Sequence, residues 1–306
     1  MNFAPILLFT YNRLETTQQC IDSLLACDGA SETDIVIFSD GPKNEQDAIK
    51  VAEVRKYLKE LVGFRNVDIH FSEENKGLAG SIIQGVTSIF TKKEMAIVVE
   101  DDLLVSNDFL IFMNKALEFY KRDLNILSIC GYSPNLRKLN PSDDVYFGKR
   151  SSSWGWATWV DRWREIDWTA PNAKKHLEDK VWRKKFAKVG SDMPRMLQNQ
   201  LDGKINSWAI RFCYHQFNRN LASVFPVKSK VCNVGFNNDA THTKTPLGKA
   251  FNCALERNYD FNYTFFNFKG FCPDVVGEFA SLYSFKARAL KKMKELVIKW
   301  RASCGF

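Results

Sequence analysis

The most constraining stretch of this chain is Met95-Ala-Ile-Val-Val-Glu100-Asp101-Asp102. An apolar run this short, ending abruptly in charge, reads as a strand buried on both faces inside an α/β sheet. Three carboxylates then stand at its carboxyl end, where open α/β sheets form their ligand crevice. Neighbouring acids repel, so the cluster needs a cation or strong donors beside it. A hard divalent ion, Mn²⁺ or Mg²⁺, bridging carboxylate and phosphate oxygens would meet that need. A solvated acidic turn is the plainer alternative.

The flanking sequence repeats the strand pattern. Pro5–Thr10, Asp34–Asp40 and Val67–Phe71 read as further strands, and helices are expected from Thr16 or Thr17 to Cys27, from Glu45 to Leu61 and from Leu78 to Phe90. Strand and helix alternating at this spacing predict an α/β fold whose sheet is mostly parallel and flanked by helices. Ser106-Asn-Asp108 is expected to cap a helix reaching Tyr120, and Ile126–Cys130 to form another strand. The polar stretch Pro134–Asp144 marks a boundary. Beyond it the pattern predicts helices over Leu177–Lys188 and Ile205–Phe217, then short strands at Val224–Val227 and Lys230–Val234.

Composition narrows the classes. The chain has 306 residues, 45% of them hydrophobic, enough for one large α/β domain or two closely packed halves. No window approaches a spanning helix, and the amino-terminal residues lack the basic n-region of a secretory signal. Eight cysteines occur without a CxxC pair or a Cys/His cluster, which suggests a reducing compartment with neither zinc nor disulfides. Residues 1–150 carry 17 Lys+Arg against 22 Asp+Glu, whereas 151–306 carry 26 against 13. That asymmetry points the second half at an anionic partner. No helix-turn-helix, zinc-finger or RNA-binding motif accompanies it, so nucleic acid is not expected.

Several side chains stand out as candidates. Arg13 follows the first strand and Asp40 ends the second, which puts both at the sheet edge that holds Glu100–Asp102. An arginine there can hold phosphate, and a carboxylate can accept from a ribose or base. Asn75-Lys-Gly77-Leu-Ala-Gly80-Ser81 opens a helix with two glycines, although its spacing matches neither a dinucleotide fingerprint nor a P-loop. Five of the eight tryptophans lie between 154 and 168. Trp154 and Trp156 flank a glycine and are expected in a loop as a sugar platform, whereas Trp159 and Trp163 read as one buried helical face. Asp239 and His242 sit in a glycine- and asparagine-rich loop. The tail from Ser284 to Arg301 reads as a basic amphipathic helix suited to an anionic membrane surface, or to docking on the body.

Taken together, Tyr11-Asn-Arg13, Ser39-Asp40, Val98-Val-Glu-Asp-Asp-Leu103, Gly155-Trp156, Ser207-Trp208-Ala-Ile-Arg211 and Pro226–His242 follow the order of motifs in a known family. The chain resembles the GT-A glycosyltransferases, in particular the N-acetylglucosaminyltransferase I group and bacterial enzymes of surface-polysaccharide (O-antigen and capsule) synthesis. The likeness covers about residues 3–245. It implies a nucleotide-sugar-binding half at 1–130 and an acceptor-binding half of the same GT-A domain at 131–283, with 284–306 as the tail. By the same resemblance Arg13 and Asp40 hold the uridine end of a UDP-sugar, and Glu100 and Asp101 position ribose and sugar. Asp102 ligates Mn²⁺ or Mg²⁺, and Ala240, Thr241 and His242 close over the diphosphate. Ser81 stands where the family has a histidine. The family's catalytic aspartate precedes the tryptophan matched by Trp208, but here Asn206-Ser207 occupy that place. Asp202 or Asp239 would then act as base, with Asp202 favoured by position.

The expected activity is inverting transfer of GlcNAc, GalNAc, Gal or Glc from UDP to a glycan acceptor, with Trp154, Trp156 and Trp208 as platform. The acceptor would be lipid-diphosphate-linked, and the protein peripheral on the cytoplasmic face of the plasma membrane. A sugar-1-phosphate nucleotidyltransferase would need a glycine-rich phosphate loop after the first strand, where Thr10-Tyr-Asn-Arg13 stands. A non-catalytic carbohydrate-binding module would leave Glu100–Asp102 idle.

Overall fold

The computed structural model describes residues 3–235, 255, 261–290 and 293. Among them, eight strands form one sheet in the order β3-β2-β1-β4-β8-β6-β9-β7. The first four are β1 (Ile6–Thr10), β2 (Asp34–Ser39), β3 (Asn66–Phe71) and β4 (Met95–Glu100), and they run parallel. α1 (Leu14–Leu25), α2 (Glu45–Lys59) and α3 (Gly77–Ile89) supply the crossovers. Side chains alternate along β1: Ile6 and Leu8 pack among the residues of α1, and Leu7 and Phe9 among those of α3. Burial on both faces explains why β1 and β4 read as unbroken apolar runs. β5 (Leu103–Val105) and α4 (Phe109–Tyr120) lead to β6 (Ile126–Cys130), which is wholly buried.

Past residue 130 the direction rules change. β7 (Val145–Gly148) and β8 (Trp156–Trp159) are antiparallel to their neighbours. β8 inserts between β4 and β6, so the sheet runs through both halves of the chain. α5 (Val160–Arg164), α6 (Ala173–Glu178), α7 (Lys180–Ala187), α8 (Met193–Leu201) and α9 (Trp208–Asn218) follow, and then β9 (Ala222–Pro226). β10 (Val231–Asn233) pairs with β5, and α10 (Pro273–Ser281) packs Val275 and Phe279 on Tyr146 and Phe225 at the β7 edge.

The sheet and its helices match the expected α/β architecture, with differences in detail. Neither Thr16 nor Thr17 caps α1: the cap position is Arg13, and Thr17 Oγ1 donates to the Arg13 carbonyl at 2.7 Å. Asp108 does not cap α4 through its side chain either. It accepts instead from Ser106, Lys230 and Tyr263. The expected helix over 177–188 is two helices, because the Asp179 carboxylate takes the Val181 amide at 2.7 Å and starts α7 afresh. Trp159 and Trp163 do not share a helical face. Trp159 ends a strand and donates from Nε1 to the Leu117 carbonyl, whereas Trp163 lies on α5 and donates to Thr87. Most of the tail lies outside the described residues, as do residues 236–254 and 256–260.

Candidate active site

The carboxyl ends of β1 and β4 lie side by side, which brings the Tyr11–Arg13 loop over Glu100–Asp102. Arg13 reaches across both aspartates, donating from Nη2 to Asp101 and from Nη1 to Asp102 at 3.1 Å. The Tyr11 amide adds a bond to Asp101 at 3.1 Å. The cation required by the acid cluster is thus supplied from within the chain. Burial opposes Arg13's charge, but the two aspartates outweigh it and hold its proton more firmly than usual. Asp101 is buried and pushed up to about 6, by burial first and then by Asp102, against the pull of Arg13. Burial and the same two aspartates raise Glu100 well above the ordinary carboxylate range.

The loop is itself tethered. Asp47, in the first turn of α2, accepts from Tyr11 Oη at 2.8 Å and from Asn12 Nδ2 at 2.7 Å. Burial and Asp47 push the Tyr11 phenol up to about 12. On the far side, Asn233 Nδ2 donates to Asp102 at 3.3 Å, and the Val234 amide donates to the Asp102 carbonyl at 2.9 Å. A side chain at Gly235 would overlap the Asp102 carboxylate, so the backbone there approaches as only glycine allows. Sequence reasoning missed Asp47 and Asn233. Both act through contacts far apart in sequence, and no local pattern marks them.

Asp40 has a different job from the one expected. Its carboxylate accepts from the amides of Gly41, Lys76 and Gly77 and from Asn75 Nδ2, at 2.9–3.2 Å. All four acceptor positions are therefore filled in anchoring the start of α3. Asp40 still borders a cleft of about 380 Å³ with Ser81, His70 and Lys76.

Two of the three platform tryptophans are structural. Trp156 is fully buried in β8 and stacks on Trp208 at 4.8 Å, and Trp208 is only 4% exposed. β8 is buried at all four positions, so a strand this short inside a tryptophan-rich run carries no apolar–polar alternation to set it apart from a loop. Trp154 remains half-buried, edge-on to Tyr132 at 4.5 Å. Asp202 caps the end of α8 in solvent and pairs with Lys204 at 2.8 Å and Gln198 at 2.7 Å. Those bonds hold it below the usual aspartate range and weaken it as a base. Asp239, Ala240, Thr241 and His242 lie outside the described residues.

The donor set at the cluster is all oxygen and suits a hard cation. Among the described residues no donor reaches the Glu100 carboxylate, and no three His, Cys, Asp or Glu side chains converge as a metal cage. An ion here would rest on Asp102, flanked by Glu100, and take its remaining ligands from substrate and water.

The sequence pattern of Glycosyl transferase family 2 matches residues 6–176, more than half of the chain and all of β1–β8. The chain belongs to that family. No curated protein matches it. Among solved structures, residues 1–349 of Staphylococcus aureus TarS align over 77% of this chain and 61% of that one, at 13% identity and a TM-score of 0.40. The family 2 chain thus spans less than two thirds of the TarS fragment. A mannosyltransferase from Pyrobaculum calidifontis, solved with GDP-Man and Mn²⁺, aligns over 71% of this chain and 70% of that one, at 12% identity and a TM-score of 0.41.

Proposed function

We propose that this family 2 protein is an inverting transferase that moves a sugar from UDP to a glycan acceptor. One observation carries the reading: Arg13 clamps Asp101 and Asp102 at the carboxyl edge of the sheet. In the proposed enzyme residues 1–130 bind the donor and 131–283 bind the acceptor. Asp102 would hold Mn²⁺ or Mg²⁺ there with Glu100 beside it, and such an ion would stabilise the charge on a departing diphosphate. Arg13 aims both aspartates through one bond to each, which holds the carboxylates at the sheet edge proposed to receive the diphosphate. Trp154, the one platform tryptophan left partly open, covers the sugar and limits loss to water. Asp239 takes the acceptor proton in preference to Asp202, whose carboxylate is already bound to Lys204.

In this reading GlcNAc, GalNAc, Gal or Glc is the donated sugar, and a lipid-diphosphate-linked oligosaccharide of a bacterial surface polysaccharide is the acceptor. The basic tail then holds the protein on the inner face of the membrane. The test is a UDP-sugar hydrolysis panel with Mn²⁺, wild type beside Asp102→Ala. The reading expects at least one UDP-sugar to turn over, and Asp102→Ala to lose about a hundredfold or more, as when a transition-state charge stabiliser is removed. If no UDP-sugar binds or reacts, the proposal fails.

A further inference from the structure

α6 and α7 attach to the body by a narrow stripe. α6 buries Ala173 and Leu177, α7 buries Phe186, and all three join Ile210 and Tyr214 of α9 in one apolar cluster. The opposite side is strongly basic. Seven Lys/Arg side chains lie between 174 and 188, all exposed, and none is paired with another described residue. The acids of the stretch are Glu178 and Asp179, and Asp179 is used in starting α7. Val181 stands 64% exposed among these cations.

The C-terminal segment is rooted beside this face. Ser191, just past α7, accepts from Arg288 Nη2 at 2.8 Å and donates to the Tyr283 carbonyl at 3.0 Å. Arg150 stacks on the Tyr283 ring at 3.8 Å while gripping Asp192 with two bonds, at 2.9 and 3.0 Å. A helical stretch at 285–290 leaves from that anchor. Phe285 is 75% exposed and Leu290 58%, and Met293 beyond the stretch is 61% exposed.

We propose that the outer face of α6–α7 and the root of the C-terminal segment form one docking surface for an anionic phospholipid bilayer. Unpaired cations alone would suit any polyanion. Large apolar side chains held in water among cations suit a partner that has an acidic skin and an apolar interior. The proposal rests on the membrane-bound acceptor reading, and extends it by making α7 a second anchor, independent of the tail.

The experiment is co-sedimentation of the full chain with phosphatidylcholine vesicles, with and without phosphatidylglycerol. Wild type is expected to bind only the anionic vesicles. R183E/K184E/K185E should lower the bound fraction at least tenfold, with thermal unfolding and UDP-sugar hydrolysis in solution unchanged. F285S/L290S/M293S should also weaken vesicle binding, but leave retention on heparin unaltered. Undiminished vesicle binding by the α7 variant overturns the proposal, even if the tail variant loses it. So does wild type that binds heparin but no vesicle, which would point to a polyanionic partner. Vesicle binding that behaves as expected, with no UDP-sugar turnover, would remove the transferase reading and leave the surface standing.

Discussion

Gly235 shows how little room surrounds the acid cluster. A methyl group there would push on Asp102 itself, while the preceding residue donates its amide to the Asp102 carbonyl. On the proposed role of Asp102, Gly235→Ala is expected to weaken Mn²⁺-dependent UDP binding about tenfold or more, with a stability cost of about 1–3 kcal/mol from the forced shift. Calorimetric titration beside thermal melting checks it, and an unchanged Kd would count against the assigned role of Asp102. Asp40 makes a different demand. Asp40→Ala leaves three amides and Asn75 without their acceptor, at a cost of about 1–3 kcal/mol. Urea unfolding measures this, and Asp40→Asn should recover part of it. That Arg13 and Glu100–Asp102 share one sheet edge was legible in the sequence, because each stands just past the end of an apolar run. Asp40's role was not, since its partners arrive 35 residues later and turn an apparent ligand group into an anchor for α3.

At the scale of elements, legibility follows uninterrupted apolar sequence. β1, β2 and β4 declare themselves because nothing polar interrupts a strand covered on both faces. β8 does not: its four residues include two tryptophans and run against the direction set by β1–β4, a pairing that no local pattern encodes. The opposite edge of the sheet offers an electrostatic test. Asp34 begins β2 and accepts from Arg65 at 2.7 Å, just before β3, and from Lys93 at 3.2 Å, just before β4. The Arg65 bond, helped by Lys93, holds Asp34 below the usual aspartate range despite its partial burial. A carboxyl lowered in the folded state adds stability above its unfolded value near 3.9 and loses it as pH falls through the folded value. Asp34→Asn should thus destabilise by about 0.2–1 kcal/mol at pH 7. The gap from wild type should narrow below about pH 4 and then close. Chemical denaturation at several pH values would show it, and a gap that widens in acid would refute the assignment.

Across the whole molecule, one buried ion pair joins distant parts of the chain. Lys230 Nζ meets Asp108 at 2.5 Å, between the rings of Phe112 and Tyr263, and Tyr263 donates to the same carboxylate. The pair fastens β10, and so Asn233 and Gly235, to the start of α4. It also pins the 261–271 stretch, whose Phe266 carbonyl accepts from Tyr120 at 2.9 Å. Lys230→Met strands a buried carboxylate and should cost about 3–5 kcal/mol, part of which K230M/D108N restores. Urea titration of the two variants tests this, and equal losses in both would argue against the pairing.

The position of β8 also bears on how the protein is made. Among the described residues β6 pairs with β8 and β9, and both lie downstream of it. As the chain leaves the ribosome, five fully buried residues of β6 wait for neighbours that emerge tens of residues later. Until then the growing chain exposes three open strand edges, one of β4 and both of β6, an invitation to mispair with other nascent chains. The segments before and after residue 130 therefore complete one sheet together, and a fragment ending at residue 130 should be recovered as aggregate.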